Sequence, residues 1–202
     1  MILAFDTSTA ACTAALFAPS GQCVAWRDEL IGRGHAERLA PILEELLDGR
    51  SAETVLVGVG PGSFTGIRVG IAAAHGLAIG WKAEVRGLSS LALLAASAEV
   101  AGDVAAAMTG GHGEIFVQQF DSALQPASEL FNLPPTEAAS VVSAETIAGS
   151  AANALVEARG YGKAIEAWPS ARYSLRLPAA LRTLPPAPLY ARAPDAKART
   201  AA

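Results

Sequence analysis

The fold of this chain is constrained most by residues 55–80, which read VLVGVGPGSFTGIRVGIAAAHGLAIG. The apolar run at 55–59 predicts a buried strand. The loop at 60–66 contains three glycines, which permit positive φ angles and close backbone approach. Ser63 and Thr65 in this loop are good helix-capping residues, so the sequence predicts a strand, a tight loop and a helix in direct succession.

The helix that follows the loop carries very small side chains. They recur at every fourth position, which places them on one helix face: Gly66, Gly70, Ala74 and Ala78. This face either packs on the chain's own sheet or meets a helix of another chain. A glycine inside a helix costs about 1 kcal/mol relative to alanine, so Gly70 and Gly76 need close contacts in compensation. The pattern alone favours internal packing.

Regular patterns surround this unit and predict one complete α/β lobe over residues 1–102. Apolar residues at i, i+3, i+4, i+7 and i+8 predict an amphipathic helix at 36–47. A turn at 19–21 joins two of three consecutive strands. In addition to the strand at 55–59 and the helix at 66–79, the lobe has predicted strands at 1–5, 12–17, 22–30 and 84–87, and a helix at 90–98. The resulting order is βββαβαβα.

Residues 103–202 have weaker patterns and are predicted to form a second, degenerate lobe of the same type, shorter than the first, although no clean repeat is visible between the halves. Strands at 104–108 and 115–120 form a predicted hairpin. Helices are expected at 136–143 and at either 152–158 or 172–182. Pro185 to Pro188 predict an extended linker, and the residues after Asp195 are expected to be frayed.

Composition excludes several classes of protein. The chain has 202 residues, 15 of them basic, and a formal net charge of −4, so it is a poor stand-alone binder of nucleic acid. No segment approaches the ~20 apolar residues that span a bilayer, and the N-terminus lacks the basic region of a signal peptide. We therefore expect no membrane association and a cytoplasmic location. Cys12 and Cys23 fall in predicted strands and are expected to be reduced.

Several segments resemble the bacterial TsaB (YeaZ) family, the accessory subunit in the synthesis of threonylcarbamoyladenosine in transfer RNA. The main one is GPGSFTGIR in its strand–loop–helix setting. Four others occur in the family's order: MILAFDTSTAACTAALF, GHAERLAPILEELL, GLSSLALLA and PLYARAPDAK, the last with a Tyr-x-Arg motif at Tyr190 and Arg192. The resemblance is dense from Met1 to Ala96. It implies a ribonuclease-H-like lobe of the actin-like (ASKHA) superfamily.

The resemblance also implies a non-catalytic subunit that supports modification of adenosine 37. The expected partners are a TsaD-like transferase in a heterodimer and a TsaE-like ATPase, with a homodimer when the chain is alone and transfer RNA contacted only indirectly. No cofactor is expected on this chain alone, whereas ATP and metal are expected in the partner subunits. In the family, pairing uses the helices predicted at 36–47 and 66–79. The implied interface is His35, Arg38, Leu39, Ile42, Leu46, Ile67, Arg68, Gly70, Ile71, Ala74 and His75.

A small nucleotide-binding enzyme of the kinase-like superfamily is the alternative. Asp6 opens a turn where superfamily members place a carboxylate near phosphates and Mg²⁺, but an Asp in a turn commonly accepts hydrogen bonds from turn amides instead. The structural role is favoured, because side chains occupy the turn where nucleotide binders carry glycine. The weak nucleotide or anion site would comprise Asp6, Thr7, Ser8, Gly62 and Ser63, with the glycine loop at 60–66.

Other motifs argue against catalysis by this chain. The loop at 60–66 lacks the lysine of a phosphate-binding P-loop, because Ile67 follows Gly66, although helix N-termini attract anions. The hairpin segment MTGGHGEIF has no carboxylate where a nucleotide-binding second lobe needs one. His35, His75 and His112 lack the HxxxH spacing of the family's metal-binding subunit. No catalytic residue and no metal site are predicted.

Overall fold

The computed structural model describes residues 1–190 and places their strands in two five-stranded sheets. The first lobe contains β1 (Ile2–Asp6), β2 (Ala11–Phe17), β3 (Cys23–Leu30), α1 (His35–Leu47), β4 (Thr54–Gly58), α2 (Phe64–Trp81), β5 (Glu84–Leu88) and α3 (Ser90–Ser97). Every element predicted for this lobe is present, with bounds that differ by at most two residues. Arg192 and the predicted frayed end lie outside the described residues.

The first sheet has the strand order β3-β2-β1-β4-β5. β1 pairs with β2, and β2 with β3, in antiparallel fashion, whereas β4 lies parallel to both β1 and β5. Every residue of β2 is buried, because both faces of the sheet are covered by other elements. The predicted βββαβαβα order is confirmed.

The second lobe begins after α3 and contains the other five strands. Its elements are β6 (Val104–Thr109), β7 (Ile115–Phe120), β8 (Phe131–Leu133), α4 (Pro135–Val141), β9 (Thr146–Ala148), α5 (Ala152–Arg159) and β10 (Lys163–Ile165). A 3₁₀ helix (Ala171–Arg176) and α6 (Ala179–Arg182) follow. Of the two helices predicted as alternatives, the one at 152–158 is present as α5, whereas the one at 172–182 is divided at Pro178 into the 3₁₀ helix and α6.

The second sheet repeats the first strand for strand. Its order is β8-β7-β6-β9-β10, with antiparallel pairs on one side of β6 and parallel pairs on the other. The sequence predicted only β6 and β7, because strands of three residues such as β8, β9 and β10 are too short to show a period of two. The second lobe is therefore shortened in its elements, whereas its topology is complete.

α3 forms the middle layer between the two sheets. Seven of its eight residues are buried, as expected for a helix that is apolar on all sides. The central cluster around it joins side chains of both sheets and of the 3₁₀ helix, such as Leu56, Phe116 and Tyr173. α1 and α2 cover the outer face of the first sheet, and α4 and α5 cover that of the second. The layers run helix, sheet, helix, sheet, helix.

Residues 184–190 return to the first lobe, and we call them the C-terminal strap. The Gly87 amide donates to the Leu184 carbonyl (2.7 Å), and the Leu184 amide donates back to the Gly87 carbonyl (3.0 Å). Further along, the Leu189 amide donates to the Val59 carbonyl (2.8 Å). The strap thus adds a short bridge to the β5 edge and runs from there towards the start of α2.

Candidate functional site

Two turns close on each other at the carboxyl end of the first sheet. Gly62 has a φ of 152°, and a Cβ at this position would collide with the Ser8 carbonyl oxygen, which accepts a hydrogen bond from the Ser63 amide (2.7 Å). A Cβ at Gly66 would collide with the Thr7 carbonyl oxygen, while the Thr7 hydroxyl donates to the Gly66 carbonyl (2.7 Å). The glycines of the loop are therefore required for contact with the turn after β1, as the glycine pattern predicted.

The Asp6 carboxylate is fully buried and accepts hydrogen bonds from neighbouring residues. Its Oδ1 accepts from the amide and the hydroxyl of Ser8 (both 2.6 Å), and its Oδ2 accepts from the Ser90 hydroxyl (2.5 Å). These bonds tie the turn after β1 to the first residue of α3. The geometry matches the structural interpretation of Asp6.

A cleft of about 820 Å³ lies between the lobes, at the carboxyl ends of both sheets. It is lined by the turn at 8–10, by the first turns of α1 and α2, and by the hairpin at 108–112 together with Trp168. Ser8, Gly62 and Ser63 of the predicted weak anion site line this cleft, whereas Asp6 and Thr7 do not.

Within residues 1–190, no three His, Cys, Asp or Glu side chains are grouped as a metal ion requires. None of the helices in that part of the chain combines the length and the hydropathy of a membrane span. His35 is buried at the start of α1, where its Nε2 lies 3.3 Å from the Ala11 carbonyl oxygen.

Most of the residues implied for a partner interface lie in the chain's own core instead. The amphipathic pattern of α1 and one face of α2 are used to cover the first sheet. These side chains cannot reach another chain while the fold is intact, and their assignment to an outer surface is wrong. They are Leu39, Ile42, Leu46, Ile67, Gly70 and Ala74.

The first stripe of small residues on α2 shows the reason. A Cβ at Gly70 would lie 2.6 Å from the Thr7 hydroxyl and 3.4 Å from a Val57 methyl group. Ala74 is fully buried in the same row. The structure shows the internal packing that the pattern alone favoured, and a larger side chain at either position would disturb the fold.

Four other implied interface residues lie at or near the surface. Arg38 is exposed but ion-paired with Glu29, with Nε–Oε2 and Nη2–Oε1 distances of 2.6 and 2.5 Å. Its guanidinium holds the pKa of Glu29 below the usual value. Ile71 is half-buried, and Arg68 and His75 are exposed on α2.

A second stripe of small residues, in another phase of the same helix, faces solvent. We call it the outward stripe; its small residues are the exposed Ala72, Gly76 and Gly80, and the exposed Arg68 lies one turn before them at its end. Among residues 1–190, no atom outside α2 lies within 4 Å of a Cβ built at Gly76 or Gly80, and the neighbouring Ile79 is 83% exposed. In the sequence, this second row has the same spacing of four residues as the first. The spacing alone does not indicate which of the two rows is exposed to solvent.

Comparisons with known proteins agree with the two-sheet α/β fold described above. A family model described as "TsaD: tRNA N6-adenosine threonylcarbamoyltransferase" matches residues 28–155. The solved structure of YeaZ from Pseudomonas aeruginosa superposes with a TM-score of 0.79 at 31% sequence identity and covers 94% of this chain and 98% of that one. The chain belongs to the TsaB/YeaZ family.

A curated TsaB/YeaZ relative carries a functional name. The protein of Escherichia coli (strain K12) called "tRNA threonylcarbamoyladenosine biosynthesis protein TsaB" is 37% identical over 59% of this chain. The match spans 54% of that protein, so this chain covers about half the length of the relative. The name favours the interpretation as a tRNA-modification protein over the kinase-like alternative.

The predicted ASKHA-type α/β fold of the TsaB/YeaZ chain is also confirmed. In addition to YeaZ, the activator of 2-hydroxyisocaproyl-CoA dehydratase from Clostridium difficile, solved with bound ADPNP, superposes with a TM-score of 0.51 over 90% of this chain. At 10% identity this second likeness shows the shared fold alone.

Proposed function

We propose that this protein is the partner subunit of a TsaD-like transferase and that it supports the formation of threonylcarbamoyladenosine at position 37 of transfer RNA. The E. coli relative is named for this biosynthesis, and the match to the TsaD family model extends over residues 28–155. The observation that carries the proposal is the outward stripe of α2.

The glycines of the outward stripe destabilise α2, and the described residues of the isolated chain make no contacts there that would offset this loss. Each glycine in a helix interior costs about 1 kcal/mol relative to alanine. Gly70 gains internal contacts in return, whereas no residue of the described part of the chain outside α2 lies within 4 Å of a Cβ at Gly76 or Gly80. A helix of another chain that crosses at Gly76 would come close to the α2 backbone and would cover Ile79, so pairing supplies the contacts that the monomer lacks.

The contribution of this subunit is binding rather than acid–base chemistry. The Asp6 carboxylate is held by Ser8 and Ser90, which leaves it no role towards a substrate in the cleft. A partner that binds one state of an enzyme preferentially shifts the enzyme towards that state. We therefore assign ATP, metal and direct contact with transfer RNA to the partner subunits, with a TsaE-like ATPase docking on the pair.

Replacement of Gly76 by tryptophan tests the proposal. The new side chain meets open space in the monomer, so the melting temperature should stay within a few degrees. Binding to the TsaD-like subunit, measured by isothermal titration calorimetry, should weaken by at least about a hundredfold because the helices can no longer approach each other. The homodimer, measured by analytical ultracentrifugation, should dissociate as well.

The matched control is Ala158→Trp, which adds the same side chain at an exposed position of α5. This variant should bind the TsaD-like subunit as the natural chain does. Equal affinity of the Gly76→Trp variant and the control would exclude the outward stripe as the pairing surface.

A further inference from the structure

The C-terminal strap ends against the first turns of α2. The Tyr190 hydroxyl accepts hydrogen bonds from Nε and Nη2 of Arg68 (3.3 and 3.2 Å). The Tyr190 ring also packs against Phe64, with 5.3 Å between the ring centroids. A segment from the end of the described chain thus holds two side chains at the start of the helix that carries the outward stripe.

The strap is held to the first lobe by few contacts. None of its seven residues is buried, and its hydrogen bonds to the sheet are the two with Gly87 and the one with Val59. Pro185, Pro186 and Pro188 have no amide hydrogen and cannot add to them. A segment with few buried contacts opens with a free energy far below that of global unfolding.

Two features make docking of this weakly held segment favourable all the same. The prolines keep the free strap extended, so little conformational entropy is lost when it docks. Gly87 provides the space, because a Cβ there would lie 2.6 Å from the Pro185 carbonyl oxygen. These features favour a small difference in free energy between a docked and a released strap.

We propose that the strap is a latch on α2. In the docked state, Tyr190 fixes the orientation of Arg68 at one end of the outward stripe, and in the released state Arg68 is free to change rotamer. Because an ordered side chain loses less entropy when a partner binds, docking of the strap favours pairing. The consequence for pairing rests on the proposed function, whereas the link between strap and helix does not.

Hydrogen exchange of the isolated chain tests the link directly. If the latch exists, Arg68→Ala removes the donor on α2 and should accelerate exchange of the Leu184, Leu189 and Gly87 amides by about fivefold. Tyr190→Phe, which keeps the ring and loses the acceptor oxygen, should give a smaller acceleration. Arg38→Ala removes an exposed arginine of α1 and should leave these amides unchanged. Unchanged exchange in the Arg68→Ala variant would overturn the latch.

Pairing is tested with two variants of one position. Leu189→Pro removes the amide that donates to Val59, whereas Leu189→Ala keeps the amide and shortens an exposed side chain. The proline variant should bind the TsaD-like subunit about fivefold more weakly than the alanine variant. If the proline variant shows faster exchange at Gly87 but equal affinity, the strap does not control pairing.

The two proposals fail in different ways. If the natural chain does not bind the TsaD-like subunit while Arg68→Ala still accelerates exchange in the strap, the proposed function is wrong and the link between strap and α2 stands. If binding occurs but the strap amides do not respond to Arg68→Ala, the latch is wrong and the proposed function stands.

Discussion

In the first lobe the loop before α2 presses Gly62 against the carbonyl oxygen of Ser8, and in the second lobe the loop before α5 presses Gly149 against that of Ala107. Both glycines have positive φ angles, 152° and 127°. In each lobe the carbonyl also accepts a hydrogen bond from an amide just after the glycine, at 2.7 Å in the first lobe and 3.2 Å in the second. The duplicated strand order is therefore accompanied by a duplicated loop contact.

The lobes differ in what surrounds this shared contact. In the first lobe β1 ends at the buried Asp6, whereas in the second β6 ends at the exposed Thr109. α1 and α2 have 13 and 18 residues, but α4 and α5 have only 7 and 8. The fold itself needs the loop contact in both lobes, while the long α2 with its outward stripe is an addition of the first lobe. This difference is the reason why we propose the partner surface on the first lobe.

The largest expected effect is on the feature that the lobes share. Gly62→Ala and Gly149→Ala each add a methyl group that collides with a carbonyl oxygen and force a side chain into a positive-φ conformation. Each should lower the free energy of unfolding by about 4 kcal/mol, measured by urea denaturation. The control Gly76→Ala, at an open helix position, should raise it by about 1 kcal/mol. A tolerated alanine at only one of the two positions would break the parallel between the lobes.

The second prediction concerns a difference in stability loss between equivalent positions of the two lobes. Asp6→Ala leaves the Ser8 amide and the hydroxyls of Ser8 and Ser90 without their acceptor, and should cost about 3 kcal/mol of unfolding free energy. Thr109→Ala at the end of β6 removes one hydrogen bond at an exposed position and should change it by less than about 0.5 kcal/mol. Similar losses from both variants would show that the two strand ends are equally important.

The smallest effect is a pH dependence that originates in the first lobe. Burial in the outer core under α1 and α2 raises the pKa of the Cys12 thiol from 9.0 to about 12. Since the unfolded thiol ionises near 9.0 and the folded thiol does not, this group's contribution is complete below pH 9 and is lost as the pH rises towards 12. The free energy of unfolding should fall by about 1 kcal/mol between pH 8 and pH 10 on account of this residue.

The measurement compares urea unfolding of the natural chain with that of Cys12→Ala at both pH values. The variant is expected to lose less stability over the interval, by that same amount. An identical pH dependence would mean that Cys12 is ionised, or exposed to solvent, in the folded state.

Much of the first lobe could be predicted from sequence because its elements are long enough to show their periods. The helix at α1 repeats its apolar residues over three turns, and the loop at 60–66 carries its glycines and its capping serine together. The second lobe could not be predicted in this way. β8, β9 and β10 exist because neighbouring strands supply their hydrogen bonds, and a three-residue segment contains no periodic signal of its own.

The candidate site was predicted only in part. The choice of α2 as the important helix came from its small residues, but the stripe that the sequence made most visible, with Gly70 and Ala74, packs internally. Gly76 and Gly80 have the same local signature and face solvent. The contact between Arg68 and Tyr190 joins residues 122 positions apart, and no local pattern encodes a contact over such a separation.

Sequence patterns alone were enough to predict the strand–loop–helix unit at 55–80, the order of the first eight elements and the need for close approach along α2. The three-dimensional contacts were needed to show that the second lobe repeats the first sheet strand for strand, that Ser90 of α3 is a partner of Asp6, and that the described residues leave the row through Gly76 open. The two differ because the periodicity of apolar residues indicates that a face is buried, whereas the element that buries it is set by contacts between residues far apart in the chain.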